Sequence, residues 1–212
     1  MEEKNYLRDI TEIKNMMSQS SQFISLSGLS GVLAGIYALA GAAVANNLIS
    51  SYNSYESISI AGVKTLPEDV LAGNLTVTAL LVIVLSLATG IILSARKANS
   101  AGEKLWNNTS KRLVINFLIP LATGGVFALL MIEKMYYDLI APATLIFYGL
   151  ACVNASKNTF RDVRYLGLTI IIIGLAATAF RGNSLLLWAL GFGVCHIFYG
   201  AMMYFKYDRN PS

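Results

Sequence analysis

Charge is scarce in this chain. Asp, Glu, Lys and Arg make up 13% of its 212 residues, against about 25% in a soluble domain. Histidine is scarcer still: His196 stands alone, which excludes multi-histidine zinc sites and bis-histidine haem ligation. The two cysteines, Cys152 and Cys195, make no disulfide framework. When the apolar stretches that carry them are aligned as helices, they also lie about 12 Å apart in depth, too far for a bridge. No phosphate-cradling glycine loop, zinc motif or kinase signature is present. The sequence therefore points to no metal and no cofactor, and no polar stretch is long enough to form a soluble catalytic domain.

What the chain does have is apolar length. Hydrophobic residues make up 55% of it, and the charges cluster between long apolar runs. A spanning helix needs roughly 20 apolar residues to cross a hydrocarbon core about 30 Å thick. Runs at about 23–46, 71–94, 113–132, 136–154, 165–180 and 185–205 qualify, with no Asp, Glu, Lys or Arg in their interiors; Asp138 stands at the outer edge of the fourth. Stretches such as Leu80 to Leu85 and Ile170 to Ile173 are apolar on every side, which excludes the alternation of a membrane strand. The expected fold is an all-α membrane protein with six transmembrane helices over residues 23–206, an external loop at 47–70 and a cytoplasmic tail at 207–212. Ala43-Val44-Ala45 resembles a signal-peptidase site. The polar residues ahead of the first run, and that run's length, favour a span over a cleaved leader.

Basic residues set the orientation. Lys4, Arg8, Lys14, Arg96, Lys97, Lys104, Lys111, Arg112, Lys157, Arg161, Arg164, Lys206 and Arg209 fall on one side, and only Lys64, Lys134 and Arg181 on the other. Positively charged loops stay inside, so both termini are expected in the cytoplasm, with the protein in a cell (inner) membrane. The net charge of +4 then serves orientation and contact with anionic lipid headgroups on the cytoplasmic face, not nucleic-acid binding.

Residues 1–22 read as a short cytoplasmic amphipathic helix, with Tyr6, Ile10, Ile13 and Met17 on one seam. It would lie on the membrane surface, or offer a seam to a second copy of the chain or to a cytoplasmic protein partner. In the outer loop, the alternation of Ser57 to Ile60 suggests a small hairpin, and Pro67-Glu68-Asp69 reads as a helix start. Short outer connections at 133–138 and 181–184 pair the helices as three hairpins. Ile146-Phe147-Tyr148-Gly149 recurs as Ile197-Phe198-Tyr199-Gly200, which a 2+2+2 repeat would explain.

Four features could carry function. Helix one bears small residues at Ser27, Gly31 and Gly35, and a second row at Ala34, Ala38 and Ala42, the pattern of close helix packing. Pro120 frees the carbonyl of Asn116, with Thr123 one turn on. Broken helices of this kind line transport pathways, whereas an ordinary kink is re-satisfied by its neighbours. His196 lies near the bilayer centre, where an ionisable group is a functional candidate by default. The plainer expectation is a neutral ring bonded across helices to Tyr148, Tyr37 or a hydroxyl, with Tyr199 also nearby. Finally, Gly28-Leu29-Ser30-Gly31 with His196 resembles a fragment of the rhomboid intramembrane protease pattern, in which a serine and a histidine share a six-helix bundle. The order of the two residues departs from that family, and its Trp-Arg pair in the first outer loop is missing.

Three functions follow as expectations. The leading one is a non-enzymatic module that senses, scaffolds or regulates in the membrane. The alternative is a small uncoupled transporter or channel with a pathway near Asn116 and His196, since the absence of any acid in the interior of the runs argues against a carboxylate relay. The second alternative is an intramembrane hydrolase using Ser30 and His196.

Overall fold

The computed structural model describes residues 26–59, 68–102 and 105–209. Residues 1–22, with the proposed amphipathic seam, lie outside the described residues, as do Ile60 and Pro67 of the outer loop. Every regular element among the described residues is helical. Six helices are long and apolar enough to cross a membrane. This is what a bilayer demands, because a helix satisfies its backbone groups internally where no water is present to do so. They are α1 (Gly28–Ser59), α2 (Glu68–Ser100), α3 (Asn108–Glu133), α4 (Ile140–Ala155), α5 (Asp162–Ala179) and α6 (Ser184–Asp208).

The helices outrun the apolar stretches. α1 continues through Asn46, Asn47 and Ser57 to Ser59, so much of 47–70 is helix. The 32 residues of α1 measure roughly 48 Å, well beyond a hydrocarbon core. Hydropathy marks where the membrane stops. Capping and turn chemistry mark where a helix stops, and the two need not coincide. α3 shows such chemistry at both ends. Asn107 accepts from the Ser110 amide at 2.8 Å, and Ser110 Oγ returns the bond to the Asn107 amide at 2.8 Å, a reciprocal cap. At the other end Tyr136 N–H donates to Met131 O at 2.8 Å and Met135 N–H to Ile132 O at 3.0 Å. This paired closure puts Met135 in the left-handed region at φ 61°, where glycine is usual.

α4 packs between α3 and α5, while α1 packs between α2 and α6; α6 also meets α5 and α4. Glycine makes the tightest seams. A Cβ placed on Gly149 would lie 2.7 Å from Gly167 O, and one on Gly167 would lie 2.6 Å from Gly149 O, so α4 and α5 touch through their backbones. α1 and α6 meet in the same way, with Gly31 against Gly200 and Gly35 against Gly193 O and Ile197. Behind Gly31, Ala38 and Ala42 are buried. Lipid is as apolar as leucine, so close backbone approach and dispersion hold such a seam, not water exclusion. The core proper gathers Leu145, Leu166, Ile170 and Ala177, with Leu145 and Ile170 fully buried. α2 and α3 flank the bundle, with Leu81, Val84, Ile91, Ile119 and Leu129 all more than half exposed, faces suited to acyl chains.

Candidate functional site: a paired polar core

α6 is not a plain α-helix. It passes through a π-helical turn at Ala189–Val194, returns to α geometry at Cys195–Met203 and ends in a second π-helical turn at Tyr204–Asp208. In that turn the Cys195 amide bonds Leu190 O, five residues back. In an α-helix that amide would serve Gly191 O. The released Gly191 carbonyl is met by His196 Nδ1 at 3.1 Å. A carbonyl can only accept, so Nδ1 carries the proton. In the neutral ring Nε2 is then the acceptor, and Tyr148 donates to it at 2.8 Å. The tautomer is thus assigned from the partners of the ring. His196 is 6% exposed, and no acid faces it in its hydrogen bonds, so neutrality is the inexpensive state.

Aromatic rings surround this pair. Tyr148 lies 5.0 Å from Phe192 and 5.7 Å, edge-on, from Phe117, and Trp188 lies 4.9 Å from Phe192. Trp188 Nε1 donates to Thr144 Oγ1 at 3.2 Å. Cys152, a free buried thiol, packs beside Tyr148, and Cys195 is also free. The second Ile-Phe-Tyr-Gly places Tyr199 OH 3.4 Å from Thr169 Oγ1.

The carbonyl that Pro120 leaves without its helical donor has found another. Asn154 Nδ2 donates to Asn116 O at 2.8 Å, and Asn116 Nδ2 donates to Asn158 at 2.8 Å. Thr123 donates to Ile119 O of its own helix at 2.8 Å, on an exposed face. Ser30 donates to Ser27 O at 2.6 Å. Ser30 and His196 are therefore not joined: the serine proton goes to its own helix, and both ring nitrogens have other partners. A serine nucleophile needs a base within hydrogen-bond reach.

Two acid-centred clusters at the end where α2 and α6 finish were not singled out from the sequence. Asp208 Oδ1 pairs with Lys97 Nζ at 2.6 Å, while Oδ2 accepts from Gly28 N at 2.9 Å and Ser27 Oγ at 3.3 Å. Lys97 also donates to Leu26 O at 3.1 Å and sits over the Phe160 ring. One carboxylate thus caps the start of α1 and ties it to the ends of α2 and α6. Asp162 accepts from Lys206 at 3.0 Å and from Tyr207 at 2.8 Å, and Tyr207 stacks on Phe160. The signal available beforehand was that Asp162 and Asp208 are acids set among Arg161, Arg164, Lys206 and Arg209.

Among the described residues no group of His, Cys, Asp or Glu could hold a metal ion, and no buried side-chain nitrogen or oxygen lacks a hydrogen-bond partner. No known protein family matches the sequence, and no curated protein or solved structure is similar enough to match.

Proposed function

We propose that the chain is a multi-pass integral membrane protein of a cell (inner) membrane, with both termini cytoplasmic, acting as a non-enzymatic sensing, scaffolding or regulatory module. The observation that carries this reading is the pairing of the polar core. A transport pathway or catalytic centre keeps polar groups open for a substrate. Here His196, Tyr148, Asn116 and Asn154 bond one another or the backbone, and Ser30 is turned to Ser27. The transporter and hydrolase readings have no comparable observation in their favour.

Orientation rests on the basic residues. The contacts of Lys97, Asp208, Gly28 and Asp162 bring one end of α1, α2, α5 and α6 together, and Arg96, Lys206 and Arg209 lie at that end. The positive-inside rule makes it cytoplasmic, in contact with anionic headgroups. The three-hairpin, 2+2+2 arrangement draws support from the two repeat glycines. Gly149 meets α5 and Gly200 meets α1, each at a backbone crossing with the first helix of another hairpin. Residues 1–22 would then face the cytoplasm, open to a second copy or a protein partner.

The test is reconstitution. Sealed vesicles carrying the protein are expected to pass no more water, ions or small polar solutes than empty vesicles. A fluorophosphonate probe is expected to leave Ser30 unlabelled. Solute flux abolished by Asn116→Leu, or labelling abolished by Ser30→Ala, would replace the module with a transporter or a hydrolase respectively. A thiol reagent applied from outside should label Tyr136→Cys and not Ser100→Cys; the reverse pattern would invert the topology.

A further inference from the structure

The π turn in α6 determines which residues face α1. A π turn holds one residue more than an α turn, so each residue after it is displaced by one position, about 100° of rotation. Because of that displacement, Gly200 rather than Tyr199 meets α1. The fit there leaves no slack: even a Cβ on Gly200 would come 2.5 Å from Val32 N and 2.8 Å from Gly28 O. The same displacement points His196 at Tyr148, while Asp208 reaches the start of α1 from a second π turn at Tyr204–Asp208.

Straightening the turn has defined consequences. The Cys195 amide would return to Gly191 O and displace His196 Nδ1. Cys195 would move to the place facing Tyr148. Tyr199 would occupy the position of Gly200, and its ring cannot fit against the α1 backbone. The rotation would carry the second π turn with it and swing Asp208 away from the start of α1. The α1 contacts that lie beyond the turn would fail together, because Cys195–Met203 is one continuous α segment that transmits the rotation.

We propose that α6 is a two-position element. In the bulged position, seen here, His196 and Tyr148 hold the π turn and α1 is clamped to α6. In the straight position the turn is lost, the part of α6 beyond it rotates by about 100°, and the start of α1 is released with its cytoplasmic end uncapped. The bilayer-centre His196–Tyr148 clasp and the cytoplasmic Asp208–Lys97 latch are then two ends of one lever, the kind of bistable element that a switch requires. Its use as a signal rests on the module reading above; its geometry does not.

The test measures the α1–α6 distance. Nitroxide labels go on Leu29→Cys and Phe205→Cys, both on exposed side chains, with Cys152→Ala and Cys195→Ala. Pulsed electron paramagnetic resonance is expected to give one narrow distance. His196→Leu, which removes the side-chain donor to Gly191 O, should shift the distribution by on the order of 5 Å, from the rotation of an α-helix. Deleting Leu190 in the His196→Leu chain removes the extra residue, so a straight helix again presents Gly200 and Asp208 to α1, and the original distance should return. Where His196→Leu does not fold, Tyr148→Phe takes its place with the same expectation. An unchanged distance in the substituted chain overturns the proposal. So does a shift that the deletion fails to reverse, since that is lost packing and not a change of register. Solute flux in the vesicle experiment would refute the module reading without altering these distances.

Discussion

Removing the Asp208 carboxylate should loosen the end of the bundle where α2 and α6 finish, by an amount the geometry lets one bound. Asp208→Ala deletes the acceptor of the Gly28 amide, a helix-start bond worth about 1 kcal/mol. It also strands Lys97. The pair is 2.6 Å long, with the two side chains 25% and 12% exposed, so its loss falls between the ~0–1 kcal/mol of an exposed pair and the ~3–5 kcal/mol of a buried one. About 2 kcal/mol is a fair middle, giving roughly 3 kcal/mol in all. Asp208→Asn keeps an oxygen for Gly28 and should lose about 2 kcal/mol. Lys97→Met keeps the Gly28 cap and should cost less than Asp208→Ala. For a domain of this size each kcal/mol moves the melting temperature by ~2–4 °C, so Asp208→Ala should melt roughly 6–12 °C lower in detergent, with Asp208→Asn between it and the parent. If both variants melt with the parent, the latch contributes nothing. If Lys97→Met matches Asp208→Ala, the cap at Gly28 contributes nothing.

Three further substitutions probe other joints. Gly31→Leu should separate α1 from α6, since even a Cβ there sits 3.1 Å from Gly200 Cα; unchanged yield and melting would show that the seam is slack. Asn154→Leu leaves Asn116 O without its side-chain donor and should cost about 1–3 kcal/mol, read as a lower melting temperature, whereas an unchanged melt would mean the kink at Pro120 needs no partner. Met135→Gly should raise stability by about 1 kcal/mol, because Met135 is 66% exposed and holds φ 61° with little packing to lose; a lower melting temperature would count against the strain assigned to that turn.

The spans were legible because bilayer thickness imposes a minimum apolar length, and six runs met it. Their ends were not. Asn46 and Asn47 look like the end of a span, yet α1 continues to Ser59. Tyr165 looks like the start of the next, yet α5 begins at Asp162, whose carboxylate is satisfied by Lys206 and Tyr207. Tyr148 could be named as a partner for His196 because both residues lie well inside apolar runs. The π turn could not, since hydropathy is nearly the same for a bulged and a straight apolar helix. Asn154 as donor to Asn116, and Asp208 as cap of α1, required knowing which helices are neighbours. That choice is made by glycines at specific crossings, and a list of small residues does not say which of them meet.

The central claim is that the polar core is paired for structure, with His196 neutral and bonded to Tyr148 and Gly191. A melting series of His196→Gln and His196→Leu across neutral pH tests it most directly. Glutamine can still donate to the Gly191 carbonyl and accept from Tyr148, while leucine can do neither and leaves two buried groups unpaired, at about 1–3 kcal/mol each. The account predicts that the glutamine variant melts close to the parent, that the leucine variant melts well below both, and that none of the three depends appreciably on pH. A strong pH dependence in the parent that glutamine removes would contradict it and make His196 a titrating, functional group.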